Sequence, residues 1–202
     1  MKEKFIEGLR TNQTNFGLDL DQSHVEKLAD YYELVQNNNA LLHLVAPCSE
    51  EEFAVRHILE SLTLLKYLPQ NAKFADVGTG AGLPSIPCLL VRADLHGVLI
   101  ESKLKKATFL CEALNKFELE NRAQIINRQF EEIQKPVVSY ITCRALDKFT
   151  VKLPKLLKWS KNCSLLFFSG NSLRDELLKN RVNFEELLMP MAAQRYLFIT
   201  KS

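Results

Sequence analysis

FADVGTGAGLPSIP, residues 74–87, decides how the rest of the chain is read. Gly78, Gly80 and Gly82 fall within five positions of a chain that holds only 7 glycines, and Pro84 and Pro87 follow at once. On the upstream side KFADV (73–77) is a short apolar strand. On the downstream side LPSIPCLLVRA is a helix with a proline in its first turn, where no amide donor is needed. A glycine turn between a strand and a helix is where an open α/β sheet binds its ligand, at the carboxyl ends of its strands.

Outward from this turn the pattern repeats. GVLIE (97–101) is a second strand, and SKLKKATFLCEALNKFEL a helix with Leu104, Ala107, Leu110, Cys111, Leu114 and Phe117 on one face. AQIINR (123–128) and the apolar VVSYITC (137–143) are further strands, the latter suited to a parallel position covered on both faces. A helix over Lys148–Trp159, a fifth strand CSLLFFS (163–169), a helix SLRDELLKNR and a closing strand pair, FEELLMPM and QRYLFITK, complete the chain. Alternating strands and helices predict a doubly wound, mostly parallel α/β sheet of seven strands, the final pair forming an antiparallel edge. Residues 1–68 read instead as helical. HVEKLADYYELVQNN carries Val25, Leu28, Tyr31, Tyr32 and Val35 at helical spacing, and NNNA (37–40) breaks the pattern. SEEEFAVRHILESLTLLKYL opens on Ser49 with Glu52 three residues on, a capping-box signature. We therefore expect a helical cap over 1–68 and a compact domain over 69–202.

The 202 residues suffice for one sizeable core, and 47% hydrophobic with 25% charged residues is ordinary for a globular protein. No apolar run approaches a membrane span, and MKEKFIEGLRTNQ lacks a signal-peptide pattern; the expected location is the cytoplasm. The 5 cysteines contain no CxxC pair, so reduced, mostly buried thiols are expected, with no metal site. Charge is uneven: residues 1–68 carry 6 Lys/Arg against 11 Asp/Glu, and residues 144–202 carry 11 against 5. A basic final third suits a polyanionic partner or a merely solvated surface.

The loop itself is selective. A P-loop needs Lys-Ser/Thr after its glycines, and none follows. A dinucleotide loop needs GxGxxG, whereas here the spacing is GxGxG, and Asp76 stands where a pyrophosphate would be repelled. S-adenosyl-L-methionine is cationic and has no phosphate, so an acid beside the loop favours it. Glu101, at the end of the second strand, suits ribose hydroxyls in either cofactor. A tight turn with no ligand is the remaining reading.

FAVRHILESL, FADVGTGAGLPSIP, LIESKLKKATFL and ITCRAL, in this order and spacing, resemble the bacterial RsmG (GidB) family, 16S rRNA methyltransferases that use S-adenosylmethionine to methylate N7 of a guanine. The resemblance runs from about residue 37 to 146. It implies a class I, Rossmann-like methyltransferase fold with a helical N-terminal extension, and 16S rRNA or the small ribosomal subunit as partner. It implies cofactor contacts at Gly78 and Leu83, alongside Asp76, Gly80, Gly82 and Glu101, and further contacts at Phe130 and Glu131. Arg144 matches the family's arginine and is expected against cofactor or RNA, or as a strand-end ion-pair partner. Arg56, Lys105 and Lys106 are candidate substrate contacts, the lysines as phosphate holders or a solvated helix start. Ser85 replaces a usual glycine, NNALLHLVAP matches loosely, and Ser169-Gly170-Asn171 stands where many members have Lys-Gly. The last two segments are expected to face substrate.

Guanine N7 already offers a lone pair, so alignment and exclusion of water suffice and no catalytic residue is assigned. No Asn/Asp-Pro-Pro-aromatic segment follows the fourth strand, as amino-methylating enzymes would require. Thr142-Cys143 lacks the next-door proline that cytosine-C5 enzymes need, so Cys143 reads as a buried thiol. A monomer is the expected state. The rival functions are an NAD(P)-dependent oxidoreductase and a non-catalytic RNA-binding or ribosome-assembly protein of the same fold.

Overall fold

A computed structural model describes residues 2–144 and 149–200. The N-terminal segment begins with α1 (Lys2–Asn12), which a 3-10 turn, Gln13–Phe16, joins to α2 (Gln22–Leu42). Asp21 caps α2 by accepting from the His24 amide, satisfying an amide with no helical partner. The predicted break at NNNA does not occur. Asn38 bonds back to the Leu34 carbonyl, and Asn39 exchanges two bonds with the Val45 backbone, so these asparagines continue and then close the helix.

The next helix, α3, covers residues 50–66 in four windings: Glu50–Glu52 α-helical, Phe53–Leu59 π-helical, Glu60–Leu62 α-helical and Thr63–Lys66 3-10. Ser49 caps it by accepting from the Glu52 amide. The Glu52 carboxylate ion-pairs with Arg56. Phe5, Tyr32 and Phe53 lock α1, α2 and α3 together, with Phe5 stacked on Tyr32 at 4.5 Å and Phe53 edge-on to Tyr32 at 5.0 Å; aromatic pairs of this kind add ~1 kcal/mol beyond their burial.

The remainder is one seven-stranded sheet. Its strands are β1 (Lys73–Val77), β2 (His96–Ile100), β3 (Ala123–Ile126), β4 (Tyr140–Arg144), β5 (Ser164–Ser169), β6 (Glu185–Leu188) and β7 (Tyr196–Thr200). The spatial order is β3-β2-β1-β4-β5-β7-β6. β1 to β5 pair in parallel, while β7 runs antiparallel to both β5 and β6. Between strands lie α4 (Ser85–Val91), α5 (Leu104–Lys116), α6 (Phe149–Trp159) and α7 (Asn171–Lys179). This is the doubly wound arrangement the sequence predicts. Lys148, expected to open α6, lies outside the described residues. The order reverses between β1 and β4, the switch point at which such sheets bind ligands.

The core is continuous across residues 1–68 and the sheet: Phe5, Tyr31 and Ile58 belong to the same buried cluster as Phe74, Leu89 and Ile199. A second cluster, including Ile141, Phe167 and Leu153, fills the other face. On α5 the buried face is Ala107, Phe109, Leu110, Ala113 and Leu114. Leu104 and Cys111, assigned to that face from spacing, are exposed; of the thiols Cys88, Cys143 and Cys163 are buried, Cys48 is half-buried and Cys111 departs from the expectation. No described helix is long and apolar enough to cross a membrane.

Candidate active site

The carboxyl ends of β1, β2 and β4 open into a cavity of about 400 Å³, within the range of small-molecule sites. A larger one, about 560 Å³, surrounds the amino ends of β1, β2 and β3. Topology favours the smaller, because the glycine loop and the switch point stand beside it.

The first wall is the loop. Gly78, Gly80 and Gly82 have φ of 71°, 58° and 91°, a region that side-chain-bearing residues rarely occupy. The Gly78 amide bonds the Ile100 carbonyl at 2.9 Å, tying the loop to β2. The Gly80 amide donates to Glu101 Oε2 at 3.0 Å, and the Lys103 amide to Glu101 Oε1 at 2.8 Å. Glu101 thus acts as a bracket between the loop and the start of α5. From α2, the buried Tyr31 hydroxyl donates to the Ala81 carbonyl at 2.8 Å.

Asp76 and Gly82 depart from expectation. Both sit behind the loop and form no part of the cavity wall. Asp76 is fully buried, and its Oδ2 accepts from Thr79 at 2.6 Å and from the Ser85 hydroxyl. Its Oδ1 has no hydrogen-bond partner among the described residues. Burial pushes the carboxyl up to about 7, against the lowering effect of the two hydroxyls. Ser85, the departure from the family pattern, is therefore a staple beneath the loop. Gly82 serves packing: a Cβ there would lie 2.3 Å from Ile86 Cδ1.

The second wall is built by α3 and the end of β4. Arg144 lines the cavity, and its guanidinium ion-pairs with Glu60 at 3.2 Å, bonds the Arg56 carbonyl at 2.5 Å and stands 5.4 Å over the Phe168 ring. His57 lines the same wall with its Nδ1 buried and unpartnered among the described residues. Desolvation, reinforced by Arg144, Arg56 and Arg195, pushes His57 down to about 3, so the ring is neutral at pH 7.

Of the predicted contacts, the structure brings together Gly78, Gly80, Leu83, Glu101, Lys106 and Arg144. Lys106 is anchored by its ammonium to the His43 carbonyl at 3.1 Å. Phe130 and Glu131 line a small adjoining recess that shares Gly78, Ser102 and Lys152 with the cavity. Phe130 packs edge-on to Trp159, and Glu131 lies 4.0 Å from Lys152. Arg56 and Lys105 do not line the cavity: Arg56 pairs with Glu52 and offers only its carbonyl, while Lys105 is exposed. Leu44, Val45 and Ala46 of the loosely matching segment are on the cavity; Ser169, Gly170 and Asn171 are not. Sequence reading missed Glu60, which looks like an ordinary polar helix position and whose partners lie far along the chain.

The family model described as rRNA small subunit methyltransferase G matches residues 24–192. A relative from Thermoanaerobacter sp. (strain X514), named Ribosomal RNA small subunit methyltransferase G, is 36% identical over 195 residues, covering 93% of this chain and 81% of that protein. One of the same name from Neisseria meningitidis serogroup C (strain 053442) is 31% identical, covering 76% and 72%. The match to a Pelotomaculum thermopropionicum relative, at 37% identity, spans 54% of that protein. Among solved structures, a SAM-dependent methyltransferase from Aquifex aeolicus aligns with a TM-score of 0.58 at 14% identity, over 85% of this chain and 97% of that one. M. jannaschii TYW2 in complex with AdoMet aligns at 0.54 and 16% identity, over 71% and 74%. These two likenesses speak for the fold. The sequence matches run from α2 to the connection between β6 and β7, at above 30% identity over most of the chain, and they make the chain a member of the rRNA small subunit methyltransferase G family.

Proposed function

We propose that this protein transfers a methyl group from S-adenosylmethionine to N7 of a guanine in 16S ribosomal RNA, acting as a monomer in the cytoplasm. The family makes the chain a methyltransferase of small-subunit ribosomal RNA with S-adenosylmethionine as donor. The acceptor atom and the residue roles are our reading of the site. The observation that carries it is the pairing of a GxGxG loop with Glu101 at the carboxyl edge of the sheet.

The residues suit that cofactor. Gly80 faces open space, a Cβ there meeting only the Gly78 carbonyl at 3.9 Å, so a ligand can approach the backbone closely. Each Glu101 oxygen accepts one amide in the structure and keeps a lone pair for a ribose hydroxyl. Leu44, Val45, Ala81 and Leu83 offer apolar walls that exclude water. When bound, S-adenosylmethionine supplies an activated methyl group. Guanine N7 presents its lone pair without prior deprotonation, so the chain's task is to align it and keep the site dry. Neutral His57 fits that demand, since it adds no charge beside the cofactor's own.

The test is transfer of labelled methyl groups to 30S particles from a strain lacking the gene, with mass-spectrometric mapping of the product. Label on N7 of one guanine is expected. Label on another atom would sink the acceptor assignment. Binding of NAD(P) in preference to S-adenosylmethionine would favour the oxidoreductase.

A further inference from the structure

The rim of the cavity gathers cations from the turns that follow three strands. Lys103 immediately precedes α5, Lys106 lies in its first turn, and Lys152 lies in the first turn of α6; all three line the cavity. Lys152 also borders the adjoining recess, together with Arg128 from the turn after β3. These cations are not equivalent. The Lys106 ammonium is already bonded to the His43 carbonyl at 3.1 Å, and Lys152 stands 4.0 Å from Glu131. The Lys103 ammonium has no hydrogen bond or ion pair among the described residues, and Arg128 reaches only the carbonyl of its neighbour Asn127, at 3.3 Å. Of the carboxylates on the same space, Glu101 is buried and turned onto the Gly80 and Lys103 amides. Unbalanced cations at a cavity mouth raise the local concentration of an anion.

Two large apolar side chains share this rim. Leu104 follows Lys103 and is 69% exposed, and Val151 precedes Lys152 and is 74% exposed. A small anion would need the cations and have no use for the apolar pair. A strand of RNA with unstacked bases needs both, since its phosphates take cations and its base faces take apolar contacts.

We propose that Lys103, Arg128 and Lys152 form a phosphate clamp for the RNA strand that carries the target guanine, with Leu104 and Val151 packed against the bases beside it. Lys106, held by His43, belongs to the cavity wall and not to the clamp. The inference rests on the function proposed above and adds to it the contacts that deliver the base.

The experiment compares the full-length protein with Lys103→Gln, Arg128→Gln, Leu104→Ser and Val151→Ser, all changes of exposed side chains, and with Lys116→Gln at the far end of α5 as the control. Binding to unmethylated 30S particles is measured over a range of KCl at fixed magnesium, and S-adenosylmethionine affinity by calorimetry. Lys103→Gln and Arg128→Gln are each expected to weaken particle binding by about 3- to 10-fold at 0.1 M KCl and to reduce the slope of log affinity against log salt by about 0.7 to 1, the share of one phosphate contact. Leu104→Ser and Val151→Ser should weaken it by about threefold and leave the slope unchanged, because an apolar contact releases no counterion. Cofactor affinity should stay within about twofold throughout. Unchanged particle binding in Lys103→Gln and Arg128→Gln would overturn the clamp, and so would an equal loss in Lys116→Gln. Tenfold weaker S-adenosylmethionine binding in Lys103→Gln, with the salt slope unchanged, would give that lysine to the cofactor's carboxylate and overturn its place in the clamp. A wild-type protein that binds S-adenosylmethionine yet methylates no ribosomal RNA overturns the function itself, whereas an active wild type with indifferent variants overturns the clamp alone.

Discussion

The two walls of the cavity are braced by buried carboxylates, Asp76 and Glu101 on the loop side and Glu60 on the α3 side, and the bracing differs in kind. On the loop side Asp76 and Glu101 accept from neutral donors, the Thr79 and Ser85 hydroxyls and the Gly80 and Lys103 amides. On the α3 side Glu60 is compensated by full charges, Arg144 and Arg195. Neutral donors shape a backbone, and at Asp76 they leave the carboxyl free to take up a proton. Charged partners fix side chains and impose their field on neighbours, His57 among them. In the function proposed above the loop wall receives the cofactor against backbone, while the α3 wall holds an arginine still.

The largest expected effect is a pair of opposed pH dependences. Asp76 has its folded pKa raised from 3.8 to about 7 by burial. The stability it contributes is complete below the unfolded value and is lost as pH rises through about 7. His57 has its folded pKa lowered from 6.5 to about 3, chiefly by desolvation. Its contribution is complete above 6.5 and is lost as pH falls toward 3. Between pH 4 and 6.5 the two slopes oppose each other, each approaching ~1.4 kcal/mol per pH unit. Wild-type stability should therefore be nearly flat in this window. Asp76→Asn should become more stable as pH rises, and His57→Phe less stable. Urea unfolding across the window checks this; parallel curves for all three proteins would show that the walls do not differ in this way.

Next in size is Gly82→Ala. The Cβ would meet Ile86 at 2.3 Å, with φ at 91°, so about 3 kcal/mol of stability should be lost, because strain and overpacking add. The same substitution at Gly80, where the space is open, should cost about 1 kcal/mol through φ alone, while impairing cofactor binding more than stability. Glu101→Ala should leave the fold in place and weaken S-adenosylmethionine by about 10- to 100-fold, as a bracket and two prospective ribose bonds are removed. Equal cofactor affinity in Glu101→Ala would remove the loop wall from the cofactor site.

The difference between the walls also explains what the sequence discloses. The loop wall is local: β1, three glycines and α4 are contiguous, and Glu101 follows the next strand, so period, spacing and turn chemistry suffice. Even there Asp76 deceives, because spacing cannot tell a carboxylate facing a ligand from one folded beneath the loop and bonded to Ser85. The α3 wall is long-range. Glu60 meets Arg144 84 positions away and Arg195 135 positions away, and no window of helical periodicity contains that pairing. The π-helical winding of Phe53–Leu59 is equally hidden: FAVRHILESL fits an ordinary amphipathic helix. The asparagines of α2 mislead in the other direction, since residues that favour turns bond back to the backbone and prolong the helix.

The smallest effect tests how far the loop wall depends on the N-terminal helices. Tyr31 is wholly buried on α2, and its hydroxyl reaches the Ala81 carbonyl 50 residues away. Tyr31→Phe keeps the ring, which packs edge-on to Phe117 at 6.3 Å, and leaves that carbonyl without its donor. The cost should be about 1 kcal/mol, the net value of a buried neutral hydrogen bond whose partner is left behind. Because the orphaned carbonyl lies between Gly80 and Gly82, part of the cost should appear as faster amide exchange in residues 78–83 and as a cofactor affinity reduced by about twofold to fivefold. A loss of stability spread evenly, with loop exchange and affinity unchanged, would mean that α2 merely covers the sheet. A loss concentrated in the loop would make α2 a structural part of the cofactor wall.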